Sequence, residues 1–420
     1  MSIKLAYQFL MYLTQWGLDF IGIFLSGEGK LAKVLRGRRT TLERLKQLPS
    51  NSKKRIWAHA ASLGEYQMLW PLLDRLQTEY DVEIHISFFS PSGFEHAENP
   101  YQWLFHYLQN DTPQKANNFI SLLKPDIVIF AKYEFWLSHL QVLNQKNIPF
   151  FYWNTLLRND HFLTKFWAKS WRQSLSRSQL IFCQNQSTVR ILDKLMPNTP
   201  KLMTGDIRFL QTKELLDLPS IFNHEEERVW REKVNIIWGS SWEKELEILL
   251  KLIPLKTHQY RFIIAPHDVS ESNLKLIELT IPVTTQRLSD WQNKPIQNAV
   301  ILVDGIGKLR YIYRYAAIAV VGGGFKNALH NIIEPLSCGV PVLFGNQHQK
   351  FPEAQEAVNA KAALHGLSTN ELADTLSFLL FHGGNNQTIE FHQSKAREFF
   401  KENTPNLELA MLQFSAILPK

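Results

Sequence analysis

Cysteine is nearly absent. Cys183 and Cys338 are the only two in 420 residues, and each lies in an apolar stretch. That excludes a disulfide framework and a cysteine-ligated metal site, and it fits a reducing compartment. There is no D-x-D motif. His330 and Glu334 stand four apart with no third ligand at a recognisable spacing, so no metal dependence is expected. Gly305 and Gly307 open a G-x-G that lacks its third glycine, which removes the dinucleotide fingerprint. Short-period repeats and low-complexity tracts are absent too.

Acidic residues are scarce in one place. Between Lys30 and Arg55 run ten Lys and Arg residues against Glu43 alone, within a net charge of +7. Such a cluster attracts lipid head groups or nucleic acid. The preceding stretch decides between them. Leu5 to Leu25 is about long enough to cross a bilayer and carries no small-residue cleavage site, yet Lys4, Gln8, Gln15 and Asp19 fall within one wedge of a helix. A helix lying in the membrane interface, or packed with that wedge against protein, accounts for the pattern better than a lone spanning helix. A spanning helix would still leave the body in the cytoplasm, by the basic residues that follow it. The non-membrane alternative is a buried helix followed by a solvated basic linker. Nucleic acid is not expected, since no recognition module is present.

Beyond the basic stretch the chain alternates. "RIWAHA", "VEIHISF", "DIVIFA", "PFFYWN" and "LIFCQ" read as strands with helical patterns between them, then "VNIIWG", "RFIIAP", "AVILVD", "AIAVVG" and "VPVLFG" repeat the scheme. Alternation of this kind implies parallel sheets covered on both faces. The expected division is a membrane-associated helix at 1–29, a first Rossmann-like domain at 30–216, a join at Asp217 to Glu225, a second Rossmann-like domain at 226–385 and terminal helices at 386–420. The tail from Pro352 reads as helical, with starts at Pro352, Ser368 and Asn386.

In doubly wound folds ligands meet the loops after strands. Five segments qualify. "HAASLGE" presents Ser62 and Gly64 in a turn and Glu65 at a helix start, where a carboxylate can act as a general base or merely complement the helix dipole. "KYEFW" carries Glu134. "GSSWEKE" and "APHDVSE" offer Ser240 or Ser241 as a helix cap and expose His267 after Pro266. "VVGGGFKNALHNIIEP" places Gly322, Gly323 and Gly324 in a turn and Asn331 at a short helix closed by Gly339, so that backbone and first-turn amides could meet a nucleotide or sugar.

Together these motifs resemble the 3-deoxy-D-manno-octulosonic acid (Kdo) transferases over nearly the whole chain. "HAASLGE", "KYEFW", "TGDIRF", "GSSWEKE", "GGGFKNALHNIIEP" and "GVPVLFG" each match a family segment. The resemblance implies a GT-B fold, two Rossmann-like domains facing across a cleft behind an N-terminal membrane-associated helix. It implies CMP-Kdo as donor, a lipid A precursor as acceptor, inner-membrane lipids as surroundings and no metal or other cofactor. Glu65 would be the general base. Ser240, Pro266, His267, Ile306, Gly307, Lys308, Gly323, Gly324, Asn331, Ile332, Ile333 and Glu334 would contact the donor, and Ser62, Gly64, Glu134 and Arg208 the acceptor. The chain departs from the family where many relatives carry Pro-Arg in place of Pro266-His267 and Gly-Glu in place of Gly307-Lys308; its turn before His330 reads "FKNAL" rather than a glycine-rich version. The competing expectations are a GT-B enzyme using a UDP-sugar on a lipid acceptor, and a catalytically idle membrane-associated nucleotide-binding protein.

Overall fold

Each half of the chain builds a seven-stranded, wholly parallel sheet in the computed structural model, which describes residues 3–24, 29–49, 52–216, 219–253, 259–292, 299–381 and 387–418. The first sheet holds β1 (Lys54–Ala60), β2 (Val82–Phe88), β3 (Leu104–Tyr107), β4 (Ile127–Ala131), β5 (Phe150–Thr155), β6 (Leu180–Cys183) and β7 (Lys201–Met203), ordered 3-2-1-4-5-6-7. The second holds β8 (Val234–Ser241), β9 (Tyr260–Pro266), β10 (Thr285–Arg287), β11 (Val300–Leu302), β12 (Ala316–Val321), β13 (Val342–Gly345) and β14 (Ala363–Gly366), ordered 10-11-9-8-12-13-14. Both orders reverse direction beside the first strand of the sheet. β1 pairs with β4 there, and β8 with β12.

Apolar runs make the central strands because both faces are covered. Trp57, Ile86, Val128, Tyr152, Trp238, Ile264 and Leu343 are buried at these positions. The four strands not expected from sequence, β3, β7, β10 and β14, are all outermost and only three or four residues long. β14 interrupts a tail that the sequence reads as helical.

By contacts the chain forms two units, Met1–Ile207 with Pro405–Lys420, and Arg208–Thr404. The division differs from the one read off the sequence at 216/226 and 386. Phe209 packs on Phe399 and Phe400 at ring distances of 5.8 and 5.5 Å, which draws the helix Ile207–Leu216 into the second unit. At the other end, Phe414 lies 4.7 Å from Phe151 and 6.1 Å from Phe182, so the helix Leu407–Ser415 returns to the first sheet. Asp217 and Asn386 lie outside the described residues.

Helix α1 (Ile3–Phe24) turns its apolar side outward. Phe9 is 58% exposed and Trp16 70%, while Gln8 donates to Gln141 at 3.4 Å and the Tyr7 hydroxyl to Asp111 at 2.7 Å. The polar wedge therefore does face protein at Gln8; the Asp19 side chain lies outside the described part. No helix among the described residues is long and apolar enough to cross a membrane. The basic run is not a linker: it forms helix α2 (Lys30–Lys46), which packs Ala32, Arg38, Thr41 and Leu45 inward and exposes Lys30, Arg36, Arg39, Arg44 and Lys46.

Candidate active site

The strand ends at the two reversal points carry the candidate residues. In the first unit, β1 runs out at Ala60 and helix α3 (Leu63–Glu79) starts three residues later, with Ser62 in the capping position but without a side-chain cap bond. Glu65, in the first turn, reaches back past the cap. Its Oε2 accepts the Ala61 backbone N–H at 2.6 Å. A Cβ on Gly64 would meet nothing within 4 Å, so the protein's own packing does not demand glycine there.

Strand β4, beside β1, delivers the second carboxylate. After Ala131 the chain passes Lys132 in a left-handed conformation and reaches Glu134, whose Oε2 accepts the Trp136 indole N–H at 2.9 Å. The same N–H lies 3.1 Å from His59 Nε2, and His59 Nδ1 contacts the Ser87 carbonyl at 3.0 Å and the Ser87 hydroxyl at 2.8 Å. A carbonyl only accepts, so Nδ1 carries the proton and Nε2 accepts from Trp136. Burial first, then the Glu134 charge, raise the Glu65 pKa; the Ala61 N–H, His59 and Lys132 partly offset that rise. Two carboxylates at adjacent strand ends thus hold one of them poised to take a proton nearer neutrality than a free glutamate would.

In the second unit the three glycines serve the protein's own backbone. A Cβ on Gly323, at φ +87°, would lie 2.1 Å from the Ala328 carbonyl oxygen, and one on Gly324 would lie 2.4 Å from the Gly345 nitrogen. The loop folds over these contacts and brings His330 back, its N–H donating to the Gly322 carbonyl at 3.1 Å. Neither serine caps the helix Glu243–Leu252. The capping residue is Trp242, and the buried Glu245 carboxylate accepts from Trp242 N at 3.0 Å and Gly323 N at 3.2 Å. Burial raises the Glu245 pKa. Ser240 sits at φ +49° where the β8–β9 register shifts.

Around that turn stands a stack that the motifs did not single out. Trp242 lies 4.2 Å from the His267 ring at 23°, His267 lies 4.7 Å from His330, and the Trp242 N–H donates to His330 Nε2 at 3.3 Å. Lys326 Nζ sits 4.3 Å above the Trp242 ring, and Glu243 is 3.9 Å from the same nitrogen. The stack places one cation, one exposed imidazole and an aromatic face beside the ends of β8 and β9. A tryptophan directly after Gly-Ser-Ser and a lysine within the glycine loop were the available sequence signals.

The remaining candidates divide between backbone and surface. Asn331, one residue before the N-cap Ile332 of the short helix Ile333–Ser337, accepts from Ile333 N at 2.9 Å and donates to Glu334 at 3.1 Å, so that first-turn amide is already taken. Ile332 and Ile333 are buried in the core, which leaves only their backbone for a ligand. Burial raises the Glu334 pKa, opposed by Asn331 and the Arg310 charge. Pro266 ends β9 in the interior, Ile306 is 88% exposed, Gly307 takes φ +80° and Lys308 is half-buried. Arg208 falls in the second unit, where it donates to Glu353 at 3.0 Å, while Ser62, Gly64 and Glu134 belong to the first. Among the described residues no group of three or more His, Cys, Asp or Glu could hold a metal ion.

Residues 39–211 match the family model described as 3-deoxy-D-manno-octulosonic-acid transferase (kdotransferase). A 3-deoxy-D-manno-octulosonic acid transferase from Haemophilus influenzae is 30% identical over 323 residues, 71% of this chain and 72% of its own. One from Aquifex aeolicus is 27% identical over 325 residues, 76% of this chain and 83% of its own. Among solved structures, the UDP-GlcNAc 2-epimerase of Neisseria meningitidis is similar in fold, with a TM-score of 0.59 at 16% identity, covering 86% of this chain and 99% of that one. A glycosyltransferase from Rickettsia africae gives 0.54 at 13% identity, covering 87% and 99%.

Proposed function

Since the chain belongs to the 3-deoxy-D-manno-octulosonic acid transferase family and is a GT-B glycosyltransferase, we propose that it transfers Kdo from CMP-Kdo to a lipid A precursor, lipid IVA, for lipopolysaccharide synthesis. Glu65 takes the proton of the acceptor sugar hydroxyl as its oxygen bonds to the anomeric carbon of Kdo. The bond from that carbon to the phosphate oxygen breaks, and CMP leaves with the electron pair. Attack opposite the leaving group inverts the anomeric centre.

The observation that carries this reading is the burial of the Glu65 carboxylate at a strand end adjacent to that of Glu134; burial first, and then the Glu134 charge, raise the Glu65 pKa. A base is most useful when its pKa lies near the working pH. On the donor side, Lys326, His267 and Lys308 supply charge and hydrogen bonds for the departing phosphate, and Trp242 supplies a flat face. With cations from the chain itself, the step needs no metal ion. The outward apolar side of α1 and the exposed Lys and Arg of α2 support docking on the cytoplasmic face of the inner membrane, with α1 lying in the interface.

The test is transfer from CMP-Kdo to a tetraacylated lipid A precursor in detergent, read by mass spectrometry, for the parent and Glu65→Gln. A product heavier by one or more Kdo units, lost in the variant while CMP still binds, supports the proposal. Transfer from a UDP-sugar instead, or CMP binding without transfer to any lipid A precursor, overturns it.

A further inference from the structure

The segment between β5 and the helix Lys169–Leu175 carries an aromatic tip that the reaction does not use. It makes two tight turns, Phe162–Thr164 and Phe166–Ala168, and Phe166 is 87% exposed. The tip is built rather than loose. Arg172 donates to the carbonyls of Leu163 and Lys165, both at 2.7 Å, and of Phe166 at 3.3 Å. Phe162 and Trp167 stack at 5.9 Å and 15°, and both rings lean on Trp171. The backbone is fixed so that neighbouring rings turn inward and Phe166 alone turns out. A ring of that size left in water forgoes the burial that would favour almost any core position.

Two further contacts give the tip a direction. Trp171 meets Tyr7 of α1 edge-to-face at 4.9 Å, so the tip shares its aromatic base with the helix whose outer side is apolar. His161, just before the first turn, lies 6.1 Å from Tyr133 and 5.8 Å from Phe135, the two neighbours of Glu134. The charge is one-sided as well. From Arg158 to Arg177 there are five Lys and Arg residues against Asp160, with Lys165 and Lys169 exposed on either side of the tip.

We propose that Phe162–Ala168 is a second lipid-contacting element, with the Phe166 ring inserted among acyl chains and Lys165 and Lys169 on anionic head groups. This rests on the membrane-surface reading of α1. An aromatic residue flanked by cations suits the boundary between acyl chains and phosphates, and continuity with α1 favours a bilayer over a protein partner. The element joins the lipid surface to the Glu134 segment, so an acceptor held in the bilayer by its acyl chains reaches the carboxylates without leaving it.

The experiment uses the full chain with vesicles of phosphatidylethanolamine and phosphatidylglycerol in about a 4:1 ratio. Phe166→Cys is labelled with an environment-sensitive fluorophore, and the parent chain serves as the labelling blank. Vesicle addition is expected to shift the emission to the blue and make it quenchable by spin-labelled lipid. Phe166→Asp with Lys165→Glu and Lys169→Glu is expected to lower vesicle partitioning roughly tenfold. Protein that pellets with vesicles while the probe at 166 stays water-like overturns this inference and leaves α1 as the docking element. Parent protein that fails to pellet overturns both.

Discussion

The indole N–H of Trp136 is shared between the Glu134 carboxylate at 2.9 Å and His59 Nε2 at 3.1 Å. That bond fixes Glu134 against a fully buried imidazole whose other nitrogen is held by Ser87. Trp136→Phe keeps most of the ring and removes the donor. A hydrogen bond to a charged group contributes about 1.5–3 kcal/mol, so transfer is expected to fall by roughly tenfold or more. Because the same donor satisfies the buried His59, the unfolding free energy is expected to fall as well, by about 1–3 kcal/mol, while steady-state kinetics show the loss in kcat; lowered stability with kcat unchanged would make Trp136 a structural residue only.

Glu65 must be ionised to act as a base, and its pKa is raised by burial and by Glu134. Activity should therefore fall as pH drops through that raised pKa. In Glu134→Gln the like charge disappears, the Glu65 pKa falls, and the acidic limb of the pH–kcat profile moves to lower pH even where the plateau is reduced. A limb that stays in place would show that Glu65 does not set it.

How much of this was legible depends on position in the sheet. Central strands such as "DIVIFA" announce themselves because both faces are buried, whereas β7 and β10 are three-residue outer strands whose pairing comes from the neighbouring strand. Motifs located Glu65 and Glu134, since acidic residues after apolar runs are visible in one dimension. The couplings were not. His59 reads as a buried strand residue until Trp136 is brought to it, and Trp242, His267 and His330 meet only because β8, β9 and the glycine loop converge. Gly323 and Gly324 read as ligand positions, and the structure adds that both relieve backbone crowding, which requires knowing what a Cβ would hit.

Lys326 lies over the Trp242 ring at 4.3 Å. If it meets the donor phosphate, Lys326→Met weakens CMP binding by about five- to tenfold, since a partly screened charge contact of this type contributes about 1 kcal/mol. Isothermal titration at low and high salt checks it: the difference between parent and variant should shrink as salt rises. A constant difference would point to lost packing on Trp242.

A buried histidine pair makes the first unit sensitive to acid. His85 Nε2 meets Glu83 at 2.7 Å and therefore carries its proton, so His85 Nδ1 accepts from His106 Nε2 at 2.8 Å. The other nitrogen of His106 is buried without a partner. Burial, followed by the His85 and Arg44 charges, lowers the His106 pKa to about 3, and burial also lowers that of His85. The unfolded chain binds a proton at each site near pH 6.5 whereas the folded chain does not, so stability is lost as pH falls below about 6.5 and continues to fall toward the folded pKa, by up to about 1.4 kcal/mol per pH unit for each histidine. His106→Gln keeps a donor for His85 and cannot titrate. Its urea unfolding free energy should match the parent within about 1 kcal/mol at pH 8 and fall less steeply between pH 6 and 4. Parallel curves for the two proteins across that range would mean that His106 does not drive the acid instability.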